Sequence, residues 1–394
     1  MVKSWLQLSA LSLRTLRLCG ECISIKANRR DTESAEVAQR RPDMFIAFLI
    51  ALVFPVPLAT ANVDARWEKQ TSSTTVRLRG VSAVSARVAW ASGQNGTYTR
   101  TTDGGLTWHT AIVPGAETLD FRDVEAFDAS TAYLLAIGEG DKSRIYKTTD
   151  SGANWTMQFK NESPAAFFDA MAFWDRDHGI AMSDPVEGRF LVITTADGGR
   201  TWTPTPANSM PPALEGEGGF AASGTCITVQ GRSNVWFGTG GSNGARVFRS
   251  TDLGRTWTVA RAPLASGKAA GIFSLTFWNA RHGVAVGGDY TKERDSGGNF
   301  ATTDDGGLTW KAVGASRPAG YRSCVALVSG ASELTLIAVG PSGTDYSLDG
   351  GRRWKPIGSE GFHAVSFARA SGAGWAVGEN GTIARYVRRA RNNS

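Results

Sequence analysis

The feature that most constrains this chain is an eight-residue segment that occurs six times. Each copy places Gly two residues and Trp five residues after an Asp. The copies read TTDGGLTW, TTDSGANW, TADGGRTW, STDLGRTW, TDDGGLTW and SLDGGRRW. Their aspartates are Asp103, Asp150, Asp197, Asp252, Asp305 and Asp349, at intervals of 47, 47, 55, 53 and 44 residues. This spacing suits the four-stranded blade of a β-propeller, in which each repeat is one supersecondary unit.

The chemistry of the repeat is typical of a hairpin turn. An Asp carboxylate can accept backbone N–H bonds within the turn, and Gly adopts the positive φ that such turns require. The Trp buries a large ring against the neighbouring sheet. We therefore interpret all six aspartates as structural turn residues, and we call these segments the Asp hairpins.

The two ends of the chain predict a seventh blade. After the sixth Asp hairpin, the stretch FHAVSFARASGAGWAVGENGTIARYV supplies three further strand-like runs and no seventh hairpin. Trp67 is followed by Glu68 and Lys69, much as Trp354 is followed by Lys355 and Pro356. We expect residues 65–75 to supply the missing outer strand. The sequence thus predicts an all-β, seven-bladed propeller of four-stranded antiparallel blades, in which the N- and C-terminal strands together close the last blade.

The N-terminal region predicts export. Residues 44–61, MFIAFLIALVFPVPLATA, have the apolar run and small terminal residues of a secretory signal, and Arg40 and Arg41 precede them. We expect a non-structural extension at 1–43, a signal peptide at 44–61, the propeller at 62–388 and a basic tail at 389–394. The mature protein would be periplasmic, thylakoid-lumenal or secreted, and not transmembrane. Whether Met44 is the true start stays open.

Charge and cysteine content exclude several functions. Eight of the 42 Lys/Arg and five of the 36 Asp/Glu lie in residues 1–61, so half of the net charge of +6 lies ahead of the propeller. That balance argues against nucleic acid as a partner. The motifs predict no cofactor and no metal. Cys226 and Cys324 align at equivalent positions of two blades, which favours buried thiols, although a disulfide stays open.

The loops opposite the Asp hairpins point to an asymmetric binding mouth. Blades 1, 6 and 7 have short hairpins there, whereas blades 2 to 5 carry longer, charged loops such as GGDYTKERDSGGN. Polar residues at the starts of the inner strands are costly near a channel unless paired or hydrated. The candidate binding residues are Arg79, Asp123, Asp169, Asp184, Arg189, Arg246, Asp289, Arg322 and His363.

The six segments match the Asp-box, or bacterial neuraminidase repeat. Together with GWAVGENGTI and the signal peptide, they resemble the photosystem II stability/assembly factor family over roughly residues 65–388. The resemblance implies a seven-bladed scaffold in photosynthesis that binds a protein, such as an immature membrane-protein subunit, partly through an arginine-rich surface. No local motif identifies which arginines would correspond. We expect an exported scaffold for a protein partner.

The alternative is a glycoside hydrolase, with carbohydrate as the partner and its site on the blade 2–5 loop face. Sialidases and several glucanases share Asp-boxes. A sialidase needs an arginine triad, and Val76-Arg77-Leu78-Arg79 stands where the first of those arginines would be expected. A two-carboxylate hydrolase using Asp123, Asp169, Asp184 or Asp289 stays open, because the separation of carboxylates is not visible in a sequence.

Overall fold

The computed structural model describes residues 64–314 and 316–389. The predicted extension 1–43 and signal peptide 44–61 lie outside these residues, as do residues 390–394 of the predicted tail. The described chain forms seven four-stranded antiparallel sheets. The inner strand of each sheet packs against the inner strand of the next, and the last packs against the first, which makes a closed ring.

The first four blades follow one another along the chain. Blade 1 contains β2 Leu78–Ala83, β3 Ala89–Gly93, β4 Thr97–Thr101 and β5 His109–Ile112. Blade 2 contains β6 Asp120–Ala126, β7 Ala132–Ile137, β8 Arg144–Thr148 and β9 Thr156–Lys160. Blade 3 contains β10 Phe168–Phe173, β11 Gly179–Val186, β12 Arg189–Thr195 and β13 Thr203–Pro204. Blade 4 contains β14 Ile227–Gln230, β15 Asn234–Gly238, β16 Ala245–Ser250 and β17 Thr258–Ala262.

The remaining blades complete the ring. Blade 5 contains β18 Ala270–Phe277, β19 Gly283–Asp289, β20 Phe300–Thr303 and β21 Lys311–Ala312. Blade 6 contains β22 Cys324–Val328, β23 Thr335–Gly340, β24 Gly343–Ser347 and β25 Lys355–Gly358. Blade 7 contains β26 Ala364–Phe367, β27 Gly374–Val377, β28 Ile383–Arg389 and, on its outer edge, β1 Asp64–Gln70. Three single-turn 3₁₀ helices lie at Gly140–Lys142, Ala207–Ser209 and Glu379–Gly381.

The closure of blade 7 confirms the predicted seventh blade. β1 pairs antiparallel with β28 from Asp64 opposite Arg389 to Gln70 opposite Ile383. The Trp67 ring packs on Phe362 and Tyr386, and its Nε1 donates to Thr344 Oγ1 of blade 6 at 3.1 Å. The N-terminal strand therefore covers an edge that would otherwise expose unpaired backbone groups.

The Asp hairpins connect the third and fourth strands of blades 1 to 6. In the first, Thr107 N and Thr107 Oγ1 donate to the Asp103 carboxylate at 3.0 and 2.6 Å, and Gly105 N donates to Thr101 Oγ1 at 2.8 Å. In the sixth, Arg353 replaces the Thr, and its Nε donates to Asp349 Oδ2 at 2.9 Å. The guanidinium thus replaces the missing hydroxyl donor.

Side chains of the inner strands satisfy free N–H groups on the next blade. The inner edge of each blade faces the channel, where backbone N–H groups would otherwise lack protein partners. Ser82 Oγ accepts from Ala126 N at 3.1 Å, and Ser366 Oγ accepts from Ala83 N at 3.0 Å. Ser274 Oγ accepts from Val325 N at 2.9 Å. These bonds give the small polar residues of the inner strands a structural role.

The central channel has two distinct ends. We call the end where the inner strands begin the upper end, and the opposite end the lower end. The Asp hairpins lie at the lower end beside the turns between first and second strands, as the bonds from Gly104 N to Arg87 O (2.9 Å) and from Gly306 N to Arg281 O (2.7 Å) show. In the described part of the chain no helix is long and apolar enough to span a membrane.

Candidate functional site

A cavity of about 520 Å³ opens at the upper end of the channel. Its wall combines guanidinium groups, aromatic rings and a histidine from blades 1, 2, 5, 6 and 7, together with a segment that leads into blade 4. The residues used below are Arg77, Arg79, Arg122, Phe220, Phe273, Tyr290, Tyr321, His363 and Glu379. This upper cavity is the candidate site.

The floor of the upper cavity is a segment that crosses the channel. Residues 218–225, which we call the crossing segment, precede β14 but contact the other side of the ring. Arg79 Nε donates to Ala222 O at 3.0 Å, and Arg122 Nη1 donates to Ala221 O at 2.9 Å. Ser223 Oγ donates to Ser323 O at 2.9 Å. Blades 1, 2 and 6 therefore hold a segment that belongs to blade 4 in sequence.

The crossing segment divides the channel into two cavities. Residues 220–222 line the upper cavity, whereas residues 223–225 line a second cavity at the lower end. The close packing depends on glycine at position 224. Gly224 has a φ of +75°, and a Cβ there would lie 2.3 Å from Asp123 Oδ1. A side chain at this position would displace the segment.

Three of the candidate carboxyl groups lie against the crossing segment and not in the upper cavity. Asp123 accepts a bond from Met171 N at 2.8 Å, and Asp184 accepts one from Gly219 N at 2.7 Å. Asp169 is 1% exposed, and its Oδ2 has no hydrogen-bond partner within residues 64–314 and 316–389. Burial raises the pKa of Asp169 well above its usual range, and the nearby Asp184 raises it further. This shift favours the protonated form of Asp169, a buried carboxyl beside the crossing segment.

Two of the candidate arginines form buried ion pairs. Arg246 Nε donates to Glu217 Oε1 at 2.8 Å, and Arg322 Nε donates to Asp345 Oδ2 at 2.7 Å. All four side chains are at least nine-tenths buried. Glu217 lies one residue before the crossing segment, so the Arg246 pair anchors that segment to blade 4. Both pairs are held away from the surface of the upper cavity.

The other two polar candidates bond to loop residues that do not line the upper cavity. Arg189 donates through Nη1 to Met210 O. Asp289 accepts bonds from Thr291 N at 2.9 Å and Thr291 Oγ1 at 2.6 Å, and it pairs with Lys292 at 3.5 Å. Of the nine residues chosen from the sequence, the structure therefore places Arg79 and His363 on the wall of the upper cavity.

The cations of the upper cavity differ in their pairing. Arg77 pairs with Glu379 at 3.1 Å, and Arg122 pairs with Asp120 at 2.9 Å. Within the described part of the chain, Arg79 forms no ion pair, and its Nε bonds only a carbonyl. Burial, followed by repulsion from Arg122, lowers the pKa of Arg79 to about 10. Arg79 is therefore a charged group, partly removed from water, to which an anion could bind.

His363 completes the wall as a neutral imidazole. Its Nε2 lies 2.8 Å from Glu379 Oε1, so Glu379 joins His363 to Arg77. Burial is the largest cause that lowers the pKa of His363 to about 4, and the adjacent Arg79 also lowers it. At neutral pH this ring adds hydrogen-bonding capacity without adding positive charge.

The aromatic wall faces the same space. Phe220 and Phe273 are stacked with ring centroids 3.9 Å apart, and Tyr321 meets Phe273 edge-on at 4.8 Å. The Tyr290 ring lies 6.1 Å from Phe273, and Tyr290 is 49% exposed at the rim. Such rings offer apolar contact area together with hydroxyl groups. The upper cavity can therefore bind an anionic group joined to an apolar body.

Sequence reasoning missed most of this wall. Arg122 stands beside the chosen Asp123, and Phe273 and Ser323 align with Arg79 in their blades, but their chemistry carried no motif. One signal for the crossing segment was available. The interval of 55 residues between Asp197 and Asp252 is the longest in the repeat, so it contains extra chain ahead of blade 4.

Searches against protein families and curated proteins gave no match to a family model or to a curated protein. Solved structures do match. YCF48 bound to a D1 peptide aligns with a TM-score of 0.59 at 17% identity, over 82% of this chain and 96% of that one. YCF48 from Cyanidioschyzon merolae aligns with a TM-score of 0.57 at 18% identity, over 81% of this chain and 98% of that one.

An enzyme shares the architecture. The GH74 xyloglucanase of Xanthomonas campestris aligns with a TM-score of 0.55 at 16% identity, over 81% of this chain and 53% of that one. At such identities the likeness concerns the fold alone, and the fold does not decide between scaffold and hydrolase. The chain is a seven-bladed propeller with the fold of the photosystem II assembly factor YCF48, as its sequence resemblance predicted.

Proposed function

We propose that this protein is an exported propeller scaffold that binds a segment of a protein partner in its upper cavity. The similar propeller YCF48 has been captured with a D1 peptide, which supports a peptide ligand for this architecture. The predicted signal peptide at 44–61 supports export. The family resemblance implies a membrane-protein subunit as the partner, so we expect the bound segment to be accessible on the exported side.

The strongest support is the state of Arg79 on the wall of the upper cavity. Its guanidinium lies at the wall of an open cavity and forms no ion pair with the described residues. An anionic group of a ligand can therefore form a strong, charge-assisted hydrogen bond with it. The rings of Phe273 and Tyr290 lie on the same wall and suit an apolar side chain. A peptide segment with an acidic group next to an aromatic or aliphatic residue fits both parts of the wall.

The glycoside-hydrolase alternative gains no comparable support. Hydrolysis by two carboxylates requires both groups to reach the same glycosidic bond. Asp123, Asp169 and Asp184 instead contact backbone or lie buried beside the crossing segment, and Asp289 contacts its own loop. The xyloglucanase shares only the fold with this chain.

Selection of displayed linear peptides against the full chain tests the proposal. We expect enriched peptides to contain Asp or Glu next to an apolar residue, and to bind with affinities measurable by fluorescence anisotropy. Arg79→Gln should weaken binding about tenfold or more, because a charge-assisted hydrogen bond contributes roughly 1.5–3 kcal/mol. Gln can still donate to the Ala222 carbonyl and so preserve the floor.

Arg200→Gln is the matched control, because Arg200 is an exposed arginine of the third Asp hairpin at the lower end. It should leave the affinity unchanged. Enriched peptides that bind the Arg79→Gln variant as tightly as the parent protein would place the peptide site elsewhere and refute the assignment.

A further inference from the structure

A second cavity, of about 740 Å³, opens at the lower end of the channel among the ends of the inner strands. Its roof is the crossing segment, through Ser223, Gly224 and Thr225. The roof hydroxyls are already used, because Ser223 donates to Ser323 O at 2.9 Å and Thr225 Oγ1 donates to Ser274 Oγ at 2.7 Å. A ligand would therefore be recognised by the walls of this lower cavity.

The wall contains a carboxyl group that forms no hydrogen bond with the rest of the described chain. Glu125 lies on β6 and lines the lower cavity, and its carboxyl has no hydrogen-bond partner among the residues described. Asp123, two residues earlier, instead accepts a backbone N–H. Burial raises the pKa of Glu125 to about 7, and Arg369 across the cavity opposes this rise. Near neutral pH the Glu125 carboxyl can thus donate as well as accept.

Neutral polar groups from other blades line the same cavity as Glu125. Thr228, Gln230, Thr276 and Ser329 all line the lower cavity, and their side chains form no hydrogen bonds within the described chain. The hydroxyls of Ser82 and Ser366 each accept one backbone N–H and keep a proton to donate. The wall thus offers hydrogen-bond donors and acceptors from several blades, and its charged groups are not concentrated at one point.

Two tryptophans add apolar surface at the rim. Trp174 and Trp278 are half-buried and line the lower cavity. The indole N–H of Trp174 is occupied by Asn234 O at 2.9 Å, so its ring contributes mainly an apolar surface. Aromatic rings of this kind pack against C–H groups, while the neighbouring hydroxyl and amide groups bind polar atoms.

The charges of the lower cavity disfavour a charged ligand. Arg369 lines it and would repel a cation, whereas an ionised Glu125 would repel an anion. Arg176 and Asp175 also line it, but they contact Asp128 at 2.7 Å and His178 at 3.0 Å, respectively. An apolar ligand would leave the hydroxyls and the Glu125 carboxyl without partners, which is costly in a confined space. The remaining class has no net charge, many hydroxyl groups and apolar C–H faces.

We propose that the lower cavity is a second binding site, for a neutral oligosaccharide, with Glu125 and Gln230 bonding its hydroxyls and Trp174 or Trp278 packing against a sugar ring. The site is separate from the upper cavity and does not depend on the peptide proposal. It requires binding alone and no bond cleavage.

The test is titration of the full chain with cellohexaose, maltohexaose, chitohexaose and a xyloglucan heptasaccharide, followed by tryptophan fluorescence and saturation-transfer NMR. We expect at least one to bind with a Kd below about 1 mM. Glu125→Leu should weaken it about tenfold, because a ligand hydroxyl would face an apolar group. Glu125→Gln should weaken it threefold or less, because the amide keeps a donor and an acceptor.

Gln230→Leu provides an independent variant at the rim, and it should weaken binding severalfold. Gln94→Leu, in the upper hairpin of blade 1, is its matched control and should have no effect. Arg79→Gln should also leave sugar binding intact, which separates this result from that of the peptide experiment.

Three outcomes would overturn the proposal. The first is that none of the four sugars gives a saturation-transfer signal at 10 mM, a concentration about tenfold above the expected Kd. The second is that Gln230→Leu binds as tightly as the parent protein. The third is that Glu125→Leu binds the sugar as tightly as the parent protein, because the Glu125 carboxyl would then make no bond to it.

Discussion

At the residue scale, Gln70 links the closing strand to both neighbouring blades. Its Oε1 accepts hydrogen bonds from the indole nitrogens of Trp108 at 3.0 Å and Trp375 at 3.1 Å, and its Nε2 donates to Gly104 O at 3.2 Å. One amide thus joins the closing strand β1 to blade 1 and to blade 7. Both indole rings are buried, at 5% and 0% exposure, so their N–H groups have little access to water.

We expect Gln70→Leu to lower the free energy of unfolding by about 2 kcal/mol or more. Leucine has a similar volume but leaves two indole N–H groups unsatisfied, at roughly 1–3 kcal/mol each. Urea unfolding followed by circular dichroism measures the change. Gln94→Leu serves as the control, because the Gln94 side chain makes no hydrogen bond within the described chain. Equal stability of the two variants would contradict this role for Gln70.

At the scale of the element, the Asp hairpin is a turn stabilised by an ionised carboxylate. In the third hairpin, Asp197 accepts bonds from Thr201 N at 2.9 Å, Thr201 Oγ1 at 2.7 Å and Thr195 Oγ1 at 2.9 Å. The bonds from Thr201 are the main cause that lowers the pKa of Asp197 from its ordinary value of 3.8 to about 2. The hairpin therefore prefers the charged carboxylate.

This preference makes the hairpin sensitive to acid. A carboxyl whose pKa is lower in the folded state contributes stability above its unfolded pKa, and this contribution is lost as the pH falls through the folded pKa. For Asp197 the loss occurs between about pH 4 and pH 2. Asp197→Asn removes the titration, so the melting temperature of the variant should fall less steeply over this range.

Thermal melts at pH 7, 4, 3 and 2 measure the effect. The control is Asp177→Asn in the adjacent turn, where the Asp177 side chain forms no hydrogen bond with the described residues. Parallel curves for the parent protein and Asp197→Asn would show that this carboxylate does not stabilise the hairpin through its charge.

At the scale of the whole molecule, blade 7 is built from both ends of the folded chain. β1 pairs with β28 over seven residue pairs, and the Trp67 indole N–H donates to Thr344 of blade 6. Without β1, the outer edge of β28 would expose unpaired backbone groups and the rings of Trp108 and Trp375 would lose Gln70. Stability should therefore depend on an element that is separated in sequence from the rest of its sheet.

Deletion of residues 64–70 tests this dependence. We expect the truncated chain to melt at a markedly lower temperature than the parent protein, with the backbone amides of β28 exchanging faster with deuterium. A synthetic peptide of residues 62–72 added in trans should restore both properties, and a scrambled peptide should not. An unchanged melting temperature after deletion would mean that β1 adds little to the ring.

The predictability of the fold rests on particular residues. The six Asp hairpins could be recognised because each turn is stabilised within eight residues by its own Asp, Gly and Thr or Asn, apart from Arg353 in the last copy. The seventh blade could be inferred because Trp67 repeats the position of the hairpin tryptophans. Such features depend on local chemistry, and local chemistry is visible in a sequence.

The candidate site was less accessible to prediction. Arg79 and His363 were found because alignment of the inner strands placed both at the upper end. The alignment could not show that Arg246 pairs with Glu217 and that Arg322 pairs with Asp345. These ion pairs involve segments that do not repeat from blade to blade. Nor could it show that the crossing segment covers Asp123, whose carboxyl meets Gly224 from a different blade.

The sequence by itself determined the blade, the number of blades and the way the ring closes, since each depends on bonds within one repeat or on the strand count. The tertiary structure decided what the channel contains. Arg79 and Ala222 are 143 residues apart yet share a hydrogen bond, because the ring brings the starts of all inner strands to one end. A segment outside the repeat could then cross that end and divide the channel into two cavities of different chemistry.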